Sequence, residues 1–260
     1  MKVLRIAGLF AVLLVAAPSR AEDAHGCAVP AYLLATESTL PKVADAIKTR
    51  KRLDILVAGS GSSALPGSDG ASMSYPSRLE AALREALAGV TVNVRTELRP
   101  KKTAAEAAEG FGQMMDKLPP DQKPDLVIWQ LGTNTVLRDG NIPETANVLQ
   151  AGISRIRKSG ADVLLIDPQF APRVNAKPAV SEMVGLIAYV AKQTHVPLFR
   201  RYVAMRNWHE DQAIAFDRFI TADGLHMNDW GYSCLARLLA DNITATVARS
   251  RAVAGVRPFQ

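Results

Sequence analysis

Only four histidines and two cysteines occur in 260 residues, a small stock of imidazole and thiolate metal ligands. No Cys-x-x-Cys pair and no His-rich tract occurs, so no metal site and no other cofactor is expected. Aromatic residues are also scarce, at 6%. Single-stranded nucleic acid is held by basic side chains interleaved with stacking rings, so that scarcity argues against such a partner despite a formal net charge of +6. The basic residues fall in scattered groups, Lys48 to Arg52, Arg99 to Lys102 and Arg200-Arg201, and read as solvated surface. The loop Gly59 to Gly67 is rich in Gly and Ser but lacks the Lys-Ser/Thr ending of a phosphate cradle, which leaves a nucleotide-binding module without its fingerprint. No internal repeat and no low-complexity tract is present, and no apolar run is long enough to span a bilayer comfortably.

The longest apolar run, Ile6 to Ala17, follows Lys2 and Arg5 and precedes Ser19-Arg20-Ala21. A positive start, a short apolar stretch and small residues at −3 and −1 make an export leader over 1–21, cleaved after Ala21. The expected destination is the periplasm or the medium, with no stable membrane span after cleavage. An N-terminal arm (22–52), a folded domain (53–250) and a C-terminal tail (251–260) follow. In an oxidising compartment the even cysteine count predicts a Cys27–Cys234 disulfide, and closing a loop of that length is worth about 4–5 kcal/mol in the chain-entropy model.

Hydrophobic residues make up 48% of the chain, enough for a sizeable core. Short apolar runs at Ile55–Ala58, Thr91–Val94, Leu126–Leu131, Val163–Ile166 and Val196–Phe199 read as strands buried on both faces. Helical periodicity lies between and after them, over Tyr75–Ala88, Ala104–Leu118, Ile142–Ser159, Val180–Gln193 and Trp230–Arg249. This alternation predicts an α/β chain with a doubly wound parallel sheet. In such sheets chemistry collects at the carboxyl ends of the strands, and three loops there carry it. Gly59-Ser60-Gly61-Ser62-Ser63 is a tight turn able to expose a nucleophilic hydroxyl. Gly132-Thr133-Asn134 places a side-chain amide where it can meet an oxyanion. In Asp223-Gly224-Leu225-His226 the imidazole can serve as general base, with Asp223 fixing its tautomer.

In order and spacing these segments resemble the SGNH (GDSL-type) hydrolases over roughly Leu53 to Ile243. Gly132-Thr133-Asn134 looks like the third family block and Asp223-Gly-Leu-His226 like the fifth. The stretches 125–134, 166–173 and 223–232 are similar to an exported proteobacterial subgroup. The resemblance implies a three-layer α/β/α sandwich with a five-stranded parallel sheet, and hydrolysis of an ester or thioester by a serine. It carries a catalytic role to Asp223 and His226, and an oxyanion or substrate-binding role to Gly61, Gly132 and Asn134. The first block departs from the pattern: counted from Gly59, the nucleophile's place holds Gly61, with Ser60 before it and Ser62 after. The second departs too, since 97–103 contains no glycine to donate a backbone N–H. Two readings stay open. Ser62, or alternatively Ser60, attacks a small-molecule, glycan or lipid ester. Or the nucleophile has been lost and the chain binds an envelope ligand as an accessory protein.

Overall fold

The computed structural model describes residues 26–63 and 72–255, and the side chain of Ser62 lies outside that description. The leader read over 1–21 falls outside the described residues as well. Five parallel strands, β1 (Arg52–Gly59), β2 (Thr91–Leu98), β3 (Leu126–Gln130), β4 (Asp162–Ile166) and β5 (Leu198–Phe199), form one sheet in the order β2-β1-β3-β4-β5. The helices among the described residues are α1 (Ala31–Leu34), α2 (Pro41–Arg50), α3 (Tyr75–Ala86), α4 (Ala104–Lys117), α5 (Thr133–Leu137), α6 (Ile142–Lys158), α7 (Pro172–Asn175), α8 (Val180–Gln193), α9 (Arg201–Arg206) and α10 (Asp229–Gly255). Helices α2, α3 and α10 pack together in one layer, and α4, α6 and α8 in another. The result is the expected α/β/α sandwich.

The central strands explain why the sheet was easy to see. Leu53 to Ala58, Leu126 to Gln130 and Val163 to Ile166 are buried without a break. Helices cover both faces of these strands, so no polar alternation is required. The edge strand β2 is different. It pairs with β1 along its full length, from Arg52 opposite Thr91 to Gly59 opposite Leu98. Only Val92 within it is buried. Its second half, Arg95-Thr96-Glu97-Leu98, is polar because an edge is partly wet, and apolar content alone stops the strand at Val94. β5 is shorter than its apolar run, since Val196 and Pro197 precede the ladder. The last helix reaches Gly255, five residues into the stretch assigned to the tail.

Ahead of the sheet, the segment preceding α1 is tied down covalently. Cys27 and Cys234 form the predicted disulfide, with 5.4 Å between their Cα atoms. Trp208 Nε1 donates to the Cys27 carbonyl at 3.0 Å. Helix α2 lies along β1 and β4, and Asp162 Oδ2 accepts the Val43 N–H at 3.0 Å. Among the described residues no helix is long and apolar enough to cross a membrane.

Candidate active site

Strand order reverses between β1 and β3, and the crevice at such a switch point is where open α/β sheets bind ligands. A small cleft of about 30 Å³ opens there, walled by Gly59 and Ser60 from β1, Glu97 and Lys102 from the β2 side, and Gly132 and Asn134 from β3. It gathers three of the residues singled out from sequence: Ser60, Gly132 and Asn134. His226 and Asp223 are not among its lining residues.

The first-block turn is a short 3₁₀ segment, Gly61–Ser63, closed by the Ser63 N–H donating to the Ser60 carbonyl at 3.0 Å. Gly61 does not adopt a left-handed φ, and a Cβ added there would meet Pro100 Cβ at an ordinary 3.7 Å. Among the described residues, neither a left-handed backbone nor crowding demands glycine at this position. Ser63 turns inward instead: it is fully buried, and its hydroxyl would lie 2.5 Å from a Cβ at Gly59.

The third-block loop is built on Gly132, whose φ of 91° suits glycine and whose missing Cβ leaves room for Met183 and Pro168, each 3.0 Å from the point it would occupy. Helix α5 starts immediately after it. The Asn134 side chain donates to the Lys102 carbonyl at 2.9 Å, which engages one of its two amide hydrogens. The second block has one left-handed residue where the resemblance implies a glycine nearby. Lys101 has a φ of 62°, the left-handed conformation a glycine adopts without penalty.

The fifth-block turn is tightly organised. Asp223 Oδ1 accepts from the Thr221 hydroxyl at 2.7 Å and from the N–H groups of Leu225 and His226 at 2.8 and 2.9 Å. Asp223 Oδ2 takes the His226 Nδ1–H at 2.5 Å. Gly224, with a φ of 68°, makes the turn possible. Burial opposes ionisation of Asp223, but the hydrogen bonds from Thr221, the His226 ring and two backbone N–H groups outweigh it and hold the carboxyl well below the usual range. With Nδ1–H committed to Asp223, Nε2 carries the imidazole lone pair.

Sequence reasoning missed the layer beneath these loops. Arg201, read as surface, is completely buried. Its Nε donates to the Asp167 carbonyl at 3.1 Å, Nη1 to Gln130 Oε1 at 3.0 Å and Nη2 to Gln169 Oε1 at 2.9 Å. Gln169 Oε1 also accepts the Thr133 hydroxyl at 2.8 Å, and Gln169 Nε2 donates to the Leu225 carbonyl at 3.3 Å. One signal for this layer was available: Gln169 sits in the 166–173 stretch that carries the family resemblance. Nothing in the adjacent pair Arg200-Arg201 separates the exposed arginine from the buried one.

Asp167 belongs to the same layer. Its Oδ1 accepts the Tyr202 N–H at 2.9 Å, while Oδ2 is buried without a hydrogen-bond partner. Burial pushes this carboxyl up to about 7, against the Tyr202 N–H and the nearby Arg201 charge. A carboxyl raised in the folded state binds its proton more tightly there than in the unfolded chain. Its contribution to stability is therefore lost as pH rises from about 4 to about 7, and is constant beyond. Asp162, raised by burial to about 6, adds to the same decline. Asp167→Asn keeps the Tyr202 acceptor and removes the titration. Its urea unfolding free energy, measured from pH 4 to 8, is expected to fall less steeply than that of the unaltered chain, by on the order of a few kcal/mol across the window. Parallel curves would mean that Asp167 does not titrate there.

Fold and turn together define an SGNH-type hydrolase chain. The chain belongs to the non-GDSL lipase-like family, whose model matches residues 26–249. Among solved structures it is similar to TesA, at 23% identity and a TM-score of 0.58, covering 76% of this chain and 99% of that one. A lipase/acylhydrolase from Enterococcus faecalis matches at 21% identity and a TM-score of 0.58, over 80% and 99% of the two chains. A two-domain esterase active on acetylated mannans matches at 16% identity and a TM-score of 0.62, over 83% of this chain and 54% of that one. No curated protein matches the chain.

Proposed function

We propose that the protein is an exported serine esterase that cleaves an ester, with the O-acyl group of an envelope glycan or lipid as its substrate class. The observation that carries this reading is the Asp223–His226 pair, in which Nδ1 of the ring lies 2.5 Å from a carboxylate oxygen and so leaves Nε2 as the basic nitrogen. In the reading, Ser62 Oγ attacks the acyl carbonyl carbon while His226 Nε2 takes the hydroxyl proton. Asp223 stabilises the imidazolium, and an Asn134 amide hydrogen meets the oxyanion. The C–O bond to the alcohol then breaks as His226 returns the proton to it. Water, deprotonated by His226, attacks the acyl-serine carbonyl; the C–Oγ bond breaks, the carboxylic acid leaves, and His226 returns the proton to Oγ to regenerate the hydroxyl. Support for an acylated glycan comes from neighbours of the same fold that are described as esterases acting on acetylated mannans or as an acetyl xylan esterase. Support for export comes from the leader read over 1–21.

Labelling with a fluorophosphonate probe tests the nucleophile. Unaltered protein and Ser60→Ala are expected to label, and Ser62→Ala and His226→Ala are not. Labelling that survives Ser62→Ala moves the nucleophile elsewhere. Absence of labelling in the unaltered protein favours the ligand-binding reading. That second reading has its own observation: Gly61 stands at the nucleophile's place in a conformation and a space that would accept a serine.

A further inference from the structure

The cleft at the switch point and the His226 turn arise from different parts of the chain, and a general base has to be held at a fixed distance from the groups it serves. The only direct side-chain link between the Gly132-Thr133-Asn134 loop and the Asp223–His226 turn that the described hydrogen bonds provide runs through Gln169. Its amide is used with no atom misplaced. Oε1, the acceptor, takes two donors, the Thr133 hydroxyl at 2.8 Å and Arg201 Nη2 at 2.9 Å. Nε2, the donor, gives to the Leu225 carbonyl at 3.3 Å. The side chain is 1% exposed and Arg201 is 0% exposed, so water cannot stand in for a lost partner. Arg201 in turn spans the sheet: Gln130 closes β3, Asp167 follows β4, and Arg201 itself opens α9 after β5. Thr133 and Leu225 each neighbour a residue of the site, Asn134 and His226.

We propose that Gln169, clamped by Arg201, is a positioning residue that sets the distance and orientation of the His226 turn relative to the Asn134 loop. The inference builds on the esterase reading for its kinetic consequence, but the mechanical link is independent of turnover. A misplacement of about 1 Å at reacting groups costs on the order of 100-fold in rate. Loosening either arm of Gln169 is therefore expected to lower kcat; cutting the Leu225 arm is expected to leave KM nearly unchanged, because Leu225 does not line the cleft, whereas Thr133 does.

Two substitutions cut the arms separately. Gln169→Glu keeps an acceptor for Thr133 and Arg201 and cannot donate to the Leu225 carbonyl. Thr133→Val removes the hydroxyl and keeps the shape. Each is measured by thermal melting, by p-nitrophenyl acetate kinetics, and by the downfield proton NMR signal of the His226 Nδ1–H bonded to Asp223. Gln169→Glu is expected to melt near the unaltered protein, to lose on the order of 10–100-fold in kcat with KM within threefold, and to broaden or shift the His226 signal. Thr133→Val is expected to lose kcat comparably, leave the His226 signal in place and shift the Asn134 side-chain amide signals. A Gln169→Glu protein with unchanged kcat and an unchanged His226 signal overturns the proposal. If the unaltered protein turns over no ester, the esterase reading fails by itself. The two NMR signals then decide the link, with both unmoved in the variants as the overturning result.

Discussion

His226→Ala is expected to lower turnover of p-nitrophenyl acetate by about 10²–10⁴-fold, with folding intact. His226 is partly exposed and, among the described residues, its ring is hydrogen-bonded to Asp223 alone, so the substitution opens no core cavity. The loss falls on kcat because the imidazole acts on a proton that moves only in the transition state. Asp223→Ala follows the same direction for a different reason. It frees the ring to adopt the other tautomer and also removes the acceptor that three further groups of the turn share, Thr221 Oγ1 and the N–H groups of Leu225 and His226. Asp223→Ala therefore disturbs the backbone as well as the ring, and its melting temperature is expected to fall while that of His226→Ala holds. A His226→Ala protein with unchanged kcat would leave the dyad without a catalytic role.

The same expected result bears on the two readings of the first block. Where Ser62 is the nucleophile, Gly61→Ser adds a second hydroxyl beside a working one and changes rate little. Where the nucleophile has been lost, the room at Gly61 lets a serine enter, and the imidazole then has a hydroxyl to deprotonate. Turnover that appears only in Gly61→Ser identifies the natural chain as a binding protein built on an esterase frame.

Three physical signals made the fold legible in the sequence. Unbroken apolar runs marked β1, β3 and β4, four-residue spacing of leucines such as Leu79 and Leu83 marked α3, and the Asp-Gly-Leu-His segment marked the turn that precedes α10. The edge strand ran past its apolar start because half its surface meets solvent. The disulfide was legible from number together with the expected export, since two cysteines leave one pairing. What stayed hidden is the polar layer beneath the loops. Arg201 is a charge inside the core, and its burial depends on acceptors from Gln130, Asp167 and Gln169, which reach it only after three strands have assembled. No local periodicity announces that. Lys101 was equally hidden, since nothing in its local sequence announces its left-handed backbone.

The largest expected effect on stability belongs to the disulfide. Cys27 and Cys234 are 207 residues apart, and both are buried. A crosslink over that span restricts the unfolded chain far more than the folded one, which corresponds to about 4–5 kcal/mol in the chain-entropy model. The Cys27→Ala/Cys234→Ala protein is expected to lose that amount in urea unfolding. Spread over a chain of this size, the loss is a fall in melting temperature of roughly 10–20 °C. Local packing contributes separately. Arg237 Nη2 lies 3.0 Å from Cys27 Sγ, and the Trp208–Cys27 carbonyl bond holds the same segment. These contacts can survive loss of the crosslink in the folded state, because the segment remains seated against α10 and Trp208. The two contributions separate by reduction. Unaltered protein unfolded in excess thiol keeps both sulfur atoms and loses only the crosslink. If the unfolded-state constraint dominates, its stability matches that of the double-alanine protein within about 1 kcal/mol, and the urea dependence of both steepens as the unfolded chain expands. A double-alanine protein less than 1 kcal/mol below the unaltered one would show that the segment before α1 is held by its packing on Trp208 and not by the covalent bond.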